Sequence, residues 1–136
     1  MVGIDTEPGS VVFARALLEE ADLSDADLHE IDLTGAHLAR ARLIGARLSG
    51  CSLRGADLSG AHATSLRLDD AHLEHAILRD ADLRGAFMCG ACLDGADMRG
   101  ALLDGADLSA SRYDAATQWP AGFNPLAAGA ARGTDT

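Results

Sequence analysis

The chain has 136 residues, a net charge of −10 and no lysine, so that all eleven of its basic residues are arginines. Such an acidic surface excludes nucleic-acid binding through the phosphate backbone, which requires a basic face. The sequence contains no run of about 18 apolar residues and no basic segment ahead of an apolar stretch, so we expect neither a membrane span nor a signal peptide. Three cysteines do not make a disulfide scaffold, and we expect a cytoplasmic protein.

The N-terminal part divides into two segments. Residues 1–10 contain Gly, Pro and acidic side chains, and we expect a flexible lead. Residues 11–20, VVFARALLEE, fit either a short amphipathic helix that begins after Ser10 or two five-residue units with Phe13 and Leu18 at their centres. The spacing favours the two units, and in both cases Phe13 and Leu18 cover the N-terminal end of the core.

From Ala21 to Ala115 a five-residue unit repeats 19 times without an insertion. We call its central residue, usually leucine, position i; position i−2 is small, usually alanine, and position i+2 is glycine in ten units. Positions i−2 and i alternate as in a strand, whereas glycine permits a turn. The predicted core ladder occupies position i: Leu23, Leu28, Leu33, Leu43, Leu48, Leu53, Leu68, Leu83, Leu93 and Leu103.

Two neighbouring units depart from this pattern, because Ala63 stands at position i of one and Leu66 at position i−2 of the next. We interpret this as a local exchange of volume inside the core. A bulge or a small cavity is the alternative.

The consensus A-(D/N)-L-x-x resembles the pentapeptide repeat family. The resemblance implies an all-β chain that folds as a right-handed quadrilateral parallel β-helix, a solenoid in which four units close one coil. For residues 11–115 we expect about five coils with capped ends.

The segment after the repeats, residues 116–129, includes TQWPAGFNP and resembles the T-x-W-P-x-G-F-(D/N)-P extension of bacterial members of that family. We expect Tyr113, Trp119 and Phe123 to fold under the last coil and to cover its apolar end, while the prolines prevent further coils. Residues 130–136 are predicted to be a disordered tail.

Residues 20 positions apart should stack in adjacent coils, and one such column contains Ser52, His72 and Cys92. A His72–Cys92 pair would suit an enzyme, but position i−1 faces solvent and no cleft excludes water, so we expect no catalytic residue. Cys89 and Cys92 form a C-x-x-C pattern with only His72 and His75 nearby, and we expect neither a metal nor a cofactor. Cys51 occupies an inward position.

Acidic residues and arginines interleave on every predicted wall, and we predict a non-enzymatic interaction module or scaffold that acts through its charged outer walls. The candidate interaction surface consists of Asp22, Asp27, Asp32, Asp57, Asp82, Asp97, Asp107, Arg42, Arg47 and Arg67.

The family resemblance implies an alternative function, because fluoroquinolone-resistance members are acidic rods that mimic duplex DNA and bind DNA gyrase. We therefore expect a protein partner, with DNA gyrase as one candidate, no direct nucleic-acid binding and no membrane, in a monomer or an end-to-end homodimer. A wall of continuous negative charge would favour DNA mimicry, and a mixed surface would favour a specific protein partner.

Overall fold

The computed structural model describes residues 5–7 and 10–133. Strand β1 (Asp5–Glu7) pairs antiparallel with β2 (Ser10–Val12), and strand β3 (Arg112–Tyr113) pairs parallel with β4 (Ala131–Arg132). The remainder of the predicted lead, residues 1–4 and 8–9, lies outside the described residues, as do residues 134–136. No helix in the described part of the chain is long and apolar enough to cross a membrane.

Between β2 and β3 the chain forms single parallel bridges, because a turn interrupts the backbone every five residues. From Leu17 to Arg112 each bridge joins residues 20 positions apart, which confirms the predicted columns. We name the four resulting ladders the His72 ladder (Asp32, Ser52, His72, Cys92, Arg112), the His62 ladder (Asp22, Arg42, His62, Asp82, Leu102), the Arg67 ladder (Asp27, Arg47, Arg67, Phe87, Asp107) and the Ile77 ladder (Leu17, His37, Asp57, Ile77, Asp97, Gln118).

Each turn is closed by a backbone hydrogen bond across four residues, such as that from the Ala26 N–H to the Leu23 carbonyl at 3.1 Å. Position i+2 has a positive φ, between 58° and 76° along residues 15–110, as the third residue of a type II turn requires. At Gly45 a side chain would also collide with the coil before it, since a Cβ atom would lie 2.6 Å from Asp25 Oδ1. Glycine at this position therefore relieves mainly backbone strain, because the exposed Asp25 carboxylate can move aside.

Residues 11–20 form two repeat units and not a helix. The Phe13 N–H donates to the Asp32 carbonyl at 2.7 Å, and the Leu18 N–H donates to the His37 carbonyl at 2.8 Å. These bonds continue the ladders of the later coils. The interpretation of residues 11–20 as two repeat units, which the spacing favoured, is therefore confirmed.

The core is a column of leucine and alanine side chains inside the coils. Eight of the ten predicted core leucines are buried, and Leu23 and Leu28 are partly buried because they lie at the N-terminal end. An apolar cavity of about 90 Å³ opens there, lined by Phe13, Leu18, Leu23, Leu28, Ile31 and Leu33.

The exchange at Ala63 and Leu66 leaves the coil intact. Both side chains are fully buried, and the bridges on either side, from His62 and Arg67, keep the 20-residue spacing. The larger Leu66 therefore enters the core beside the smaller Ala63 without a bulge.

The ladder continues past the repeats after a slip of one residue. Gln118 bridges Asp97, 21 positions earlier, so that Thr117 takes the alanine position and Trp119 takes the leucine position. The Thr117 hydroxyl donates to the Leu93 carbonyl at 2.8 Å. Trp119 meets Tyr113 edge to face at 5.4 Å between ring centres and stacks on Phe123 at 5.2 Å.

The start of the expected disordered tail is ordered. The Ala131 N–H donates to the Ser111 carbonyl at 2.7 Å, and the Gly133 N–H donates to the Tyr113 carbonyl at 2.7 Å. The expectation of disorder for residues 130–136 is therefore wrong for residues 130–133: Ala130 is buried, and the free edge of β3 offers backbone acceptors to the residues after it.

Candidate interaction surface

All seven acidic residues of the predicted surface take part in the turns of the solenoid. In each, one carboxylate oxygen accepts the backbone N–H two residues later; Asp57, for example, accepts from Ser59 at 2.9 Å. The seven are Asp22, Asp27, Asp32, Asp57, Asp82, Asp97 and Asp107. Hydrogen bonds from Ser109 lower the pKa of Asp107. Aspartate at position i−1 is thus a turn-forming residue as well as a surface charge.

Three arginines of the predicted surface, Arg42, Arg47 and Arg67, stand at the same position i−1 without this turn bond. Arg47 and Arg67 occupy adjacent rungs of the Arg67 ladder. They line an open groove of about 440 Å³ together with Asp27, His29 and Ser49. Three residues of the predicted interaction surface, Asp27, Arg47 and Arg67, therefore line one open groove.

Among the described residues, the carboxylate of the groove has a close ion-pair partner, whereas its two arginines do not. The His29 Nδ1–H donates to Asp27 Oδ1 at 2.6 Å, which lowers the pKa of Asp27 and raises the pKa of His29. Within the described part of the chain, neither Arg47 nor Arg67 lies at ion-pair distance from a carboxylate. The groove thus presents two cationic side chains whose charge is only partly offset.

A half-exposed aromatic ring lies beside this groove. The Arg67 guanidinium carbon lies 4.7 Å above the ring centre of Phe87, the next residue of the ladder, and Phe87 is 38% exposed. The contact holds the Arg67 guanidinium over the ring, and the exposed part of Phe87 leaves an apolar surface beside Arg67.

The other ladders carry charges of both signs in close pairs. Arg84 donates to both oxygens of Asp82 at 2.8 and 2.7 Å, which lowers the pKa of Asp82. Asp97 lies 2.7 Å from both Arg79 and Arg99. With the residues at position i+1 included, each described wall carries charges of both signs, and none is continuously negative.

No hydrogen bond in the described part of the chain joins the residues of the enzyme alternative, Ser52, His72 and Cys92, to one another. The Ser52 hydroxyl shares a hydrogen bond with the Thr34 hydroxyl at 2.8 Å, and His72 Nδ1 lies 3.7 Å from Glu74 Oε1. Burial, followed by the charge of Glu74, raises the pKa of the Cys92 thiol. A nucleophilic thiol requires the opposite shift.

The structure changes the set of residues around Cys92. Cys89 is exposed and, like His75, does not join the group of potential ligands, which in the described residues consists of His72, Glu74 and Cys92. Sequence reasoning missed Glu74. The spacing in the sequence could have placed Glu74 beside His72, since positions i−1 and i+1 flank the same inward leucine and lie on one wall.

Cys51 lies in the core as predicted. Its thiol donates to the Leu28 carbonyl at 2.8 Å, and burial raises its pKa to about 11.

The geometry defines a parallel β-solenoid made of five-residue units. The family profile described as pentapeptide repeats matches the chain in eight copies, over residues 12–50, 21–60, 51–95, 67–105 and 82–112. The chain belongs to this family, and the fold is a right-handed β-helix. No curated protein matches the sequence significantly.

Solved structures of this family resemble the chain. A pentapeptide repeat protein from Nostoc PCC 7120 is 37% identical, with coverage of 93% of this chain and 88% of its own and a TM-score of 0.59. One from the thylakoid lumen of Arabidopsis thaliana is 27% identical, with coverage of 71% and 63% and a TM-score of 0.56. QnrB1, a plasmid-mediated fluoroquinolone resistance protein, is 25% identical, with coverage of 76% of this chain and 55% of its own and a TM-score of 0.43.

Proposed function

We propose that this protein is a non-enzymatic interaction module and that the groove on the Arg67 ladder receives an acidic side chain of a protein partner. The observation that carries the proposal is the pair of adjacent arginines, Arg47 and Arg67, at position i−1, where seven other units carry an aspartate that closes the turn. Pentapeptide repeat proteins are generally structural or interaction modules, which agrees with this function.

The chemistry of the groove suits a carboxylate next to an apolar residue. Arginine binds a carboxylate in a planar, two-bonded arrangement, and Arg47 and Arg67 line the same groove from adjacent rungs. Phe87 supplies an aromatic contact at the edge of the groove. Arginine and aromatic residues are enriched at the centres of protein interfaces.

A site-specific photo-crosslinking amino acid at the position of Ser49, used in cells of the source organism, tests the proposal. We expect one discrete protein adduct, lost when Arg47→Glu and Arg67→Glu are combined and retained in Arg99→Glu, which reverses a charge beside Asp97 of the Ile77 ladder. A crosslinker at Thr64, the equivalent turn position beside the His62 ladder, is the matched control. An adduct that survives the double charge reversal, or forms equally from Thr64, would contradict the proposal.

The second candidate is a DNA-mimicking binder of DNA gyrase, favoured by the net charge of −10. The mixed sign of every described wall favours the first candidate, because duplex DNA is uniformly negative. A supercoiling assay with purified gyrase, with and without a fluoroquinolone, separates the two. Inhibition of supercoiling, or rescue of gyrase from the drug, at micromolar protein would establish the second candidate. If the folded protein has no effect on gyrase, only the first candidate remains.

A further inference from the structure

Three potential metal ligands converge on the His72 ladder, away from the Arg67 groove. One ligand atom from each of His72, Glu74 and Cys92 lies within 4.8 Å of the others. His72 and Cys92 are bridged on adjacent coils, and Glu74 follows His72 by two residues on the same wall. The backbone ladders thus fix the origins of all three side chains before any ligand arrives.

The carboxylates of this wall have oxygens that lack a partner. The Arg54 Nη2 group lies 2.9 Å from Glu74 Oε2, and the Arg112 Nη2 group lies 3.1 Å from Asp94 Oδ2. The second oxygens, Glu74 Oε1 and Asp94 Oδ1, are shielded from solvent and make no hydrogen bond. An unsatisfied shielded carboxylate oxygen is costly, and Glu74 Oε1 is the atom that faces His72 Nδ1.

We propose that His72, Glu74 and Cys92 bind a divalent transition-metal ion of the zinc type and thereby join two adjacent coils. An imidazole nitrogen, a thiolate and a carboxylate suit zinc, whereas magnesium and calcium prefer oxygen ligands alone. Tetrahedral bonds to such ligands place them about 3.3 to 3.7 Å apart, and His72 Nδ1 already lies 3.7 Å from Glu74 Oε1.

The charge balance of the site is favourable. On binding, the Cys92 thiol releases its proton to solvent, so that one thiolate and one carboxylate neutralise the charge of a divalent ion. Three protein ligands leave a fourth position for water. Arg54 holds the other oxygen of Glu74 and so fixes the direction of the ligand, as outer-shell groups of metal sites do.

Cobalt(II) titration tests the site, because a cobalt–thiolate bond produces a charge-transfer band in the near ultraviolet. We expect the folded full-length protein to develop this band to a stoichiometry of one ion per chain and to lose it when zinc is added. Cys92→Ser should abolish the band, and His72→Gln or Glu74→Gln should weaken cobalt binding by about tenfold or more. Zinc should also raise the melting temperature of the wild-type protein but not that of Cys92→Ser.

Cys89→Ser is the matched control, since it removes an exposed cysteine and keeps the three ligands. We expect it to bind cobalt as the wild type does. Circular dichroism of each variant shows that the coil is intact. A band that persists in Cys92→Ser, is lost in Cys89→Ser, or is absent from the wild type at excess cobalt would overturn the proposal.

Discussion

Shortening Leu68 to alanine tests whether the solenoid is held together mainly at its centre. Leu68 is fully buried, and the 20-residue spacing places it between Leu48 and Met88, which are also fully buried. The substitution removes three carbon atoms, worth about 2.4 kcal/mol at about 0.8 kcal/mol for each buried group. The backbone ladders prevent the walls from collapsing onto the cavity, so we expect a total loss of about 3 to 4 kcal/mol.

Leu23→Ala is the matched change at the N-terminal end. Leu23 is only partly buried and already borders a cavity of about 90 Å³, so we expect a loss of about 1 kcal/mol. Urea denaturation followed by far-ultraviolet circular dichroism measures both free energies. Equal losses for the two variants would refute the reasoning, as would a folded Leu68→Asp variant with unchanged melting, because a buried unpaired charge should prevent folding.

Three further predictions concern single contacts. Asp57→Ala removes the bonds from Ser59 and should lower the free energy of unfolding by about 1 kcal/mol, whereas Asp57→Asn keeps the acceptor; equal effects in urea denaturation would contradict this. With its pKa near 11, the Cys51 thiol should react with a thiol reagent only after denaturation, while the other two cysteines react in the native protein. His29 should titrate above 6.5 by NMR and return towards that value in Asp27→Asn. Because the pair raises the pKa of His29 and lowers the pKa of Asp27, its stabilisation is present between the two folded pKa values; it is lost as pH rises through that of His29 and as pH falls through that of Asp27.

The sequence predicted the ladders residue by residue because an unbroken five-residue period leaves one register for stacking. Knowing that Cys92 follows His72 on a ladder required only the count of 20 residues. The slip before Trp119 was not predictable from that count, since the extra residue lies where the repeat itself ends. Glu74 was overlooked because position i+1 was treated only as part of a turn, although its side chain lies on the wall beside His72.

Part of the acidity of this protein comes from its turns, and this origin decides which substitutions can test recognition of charge. Every aspartate of the predicted surface closes a turn through its carboxylate, so part of the net charge of −10 comes with the fold itself. Replacing such a residue by alanine alters charge and turn together, whereas asparagine removes the charge and retains an acceptor. Asn at Asp22, Asp57 and Asp107 therefore tests recognition of negative charge in a folded protein, while Arg47 and Arg67, which close no turn in this way, can be reversed in charge directly. A partner that tolerates the asparagines and is lost with the arginines recognises the groove and not the acidity of the rod.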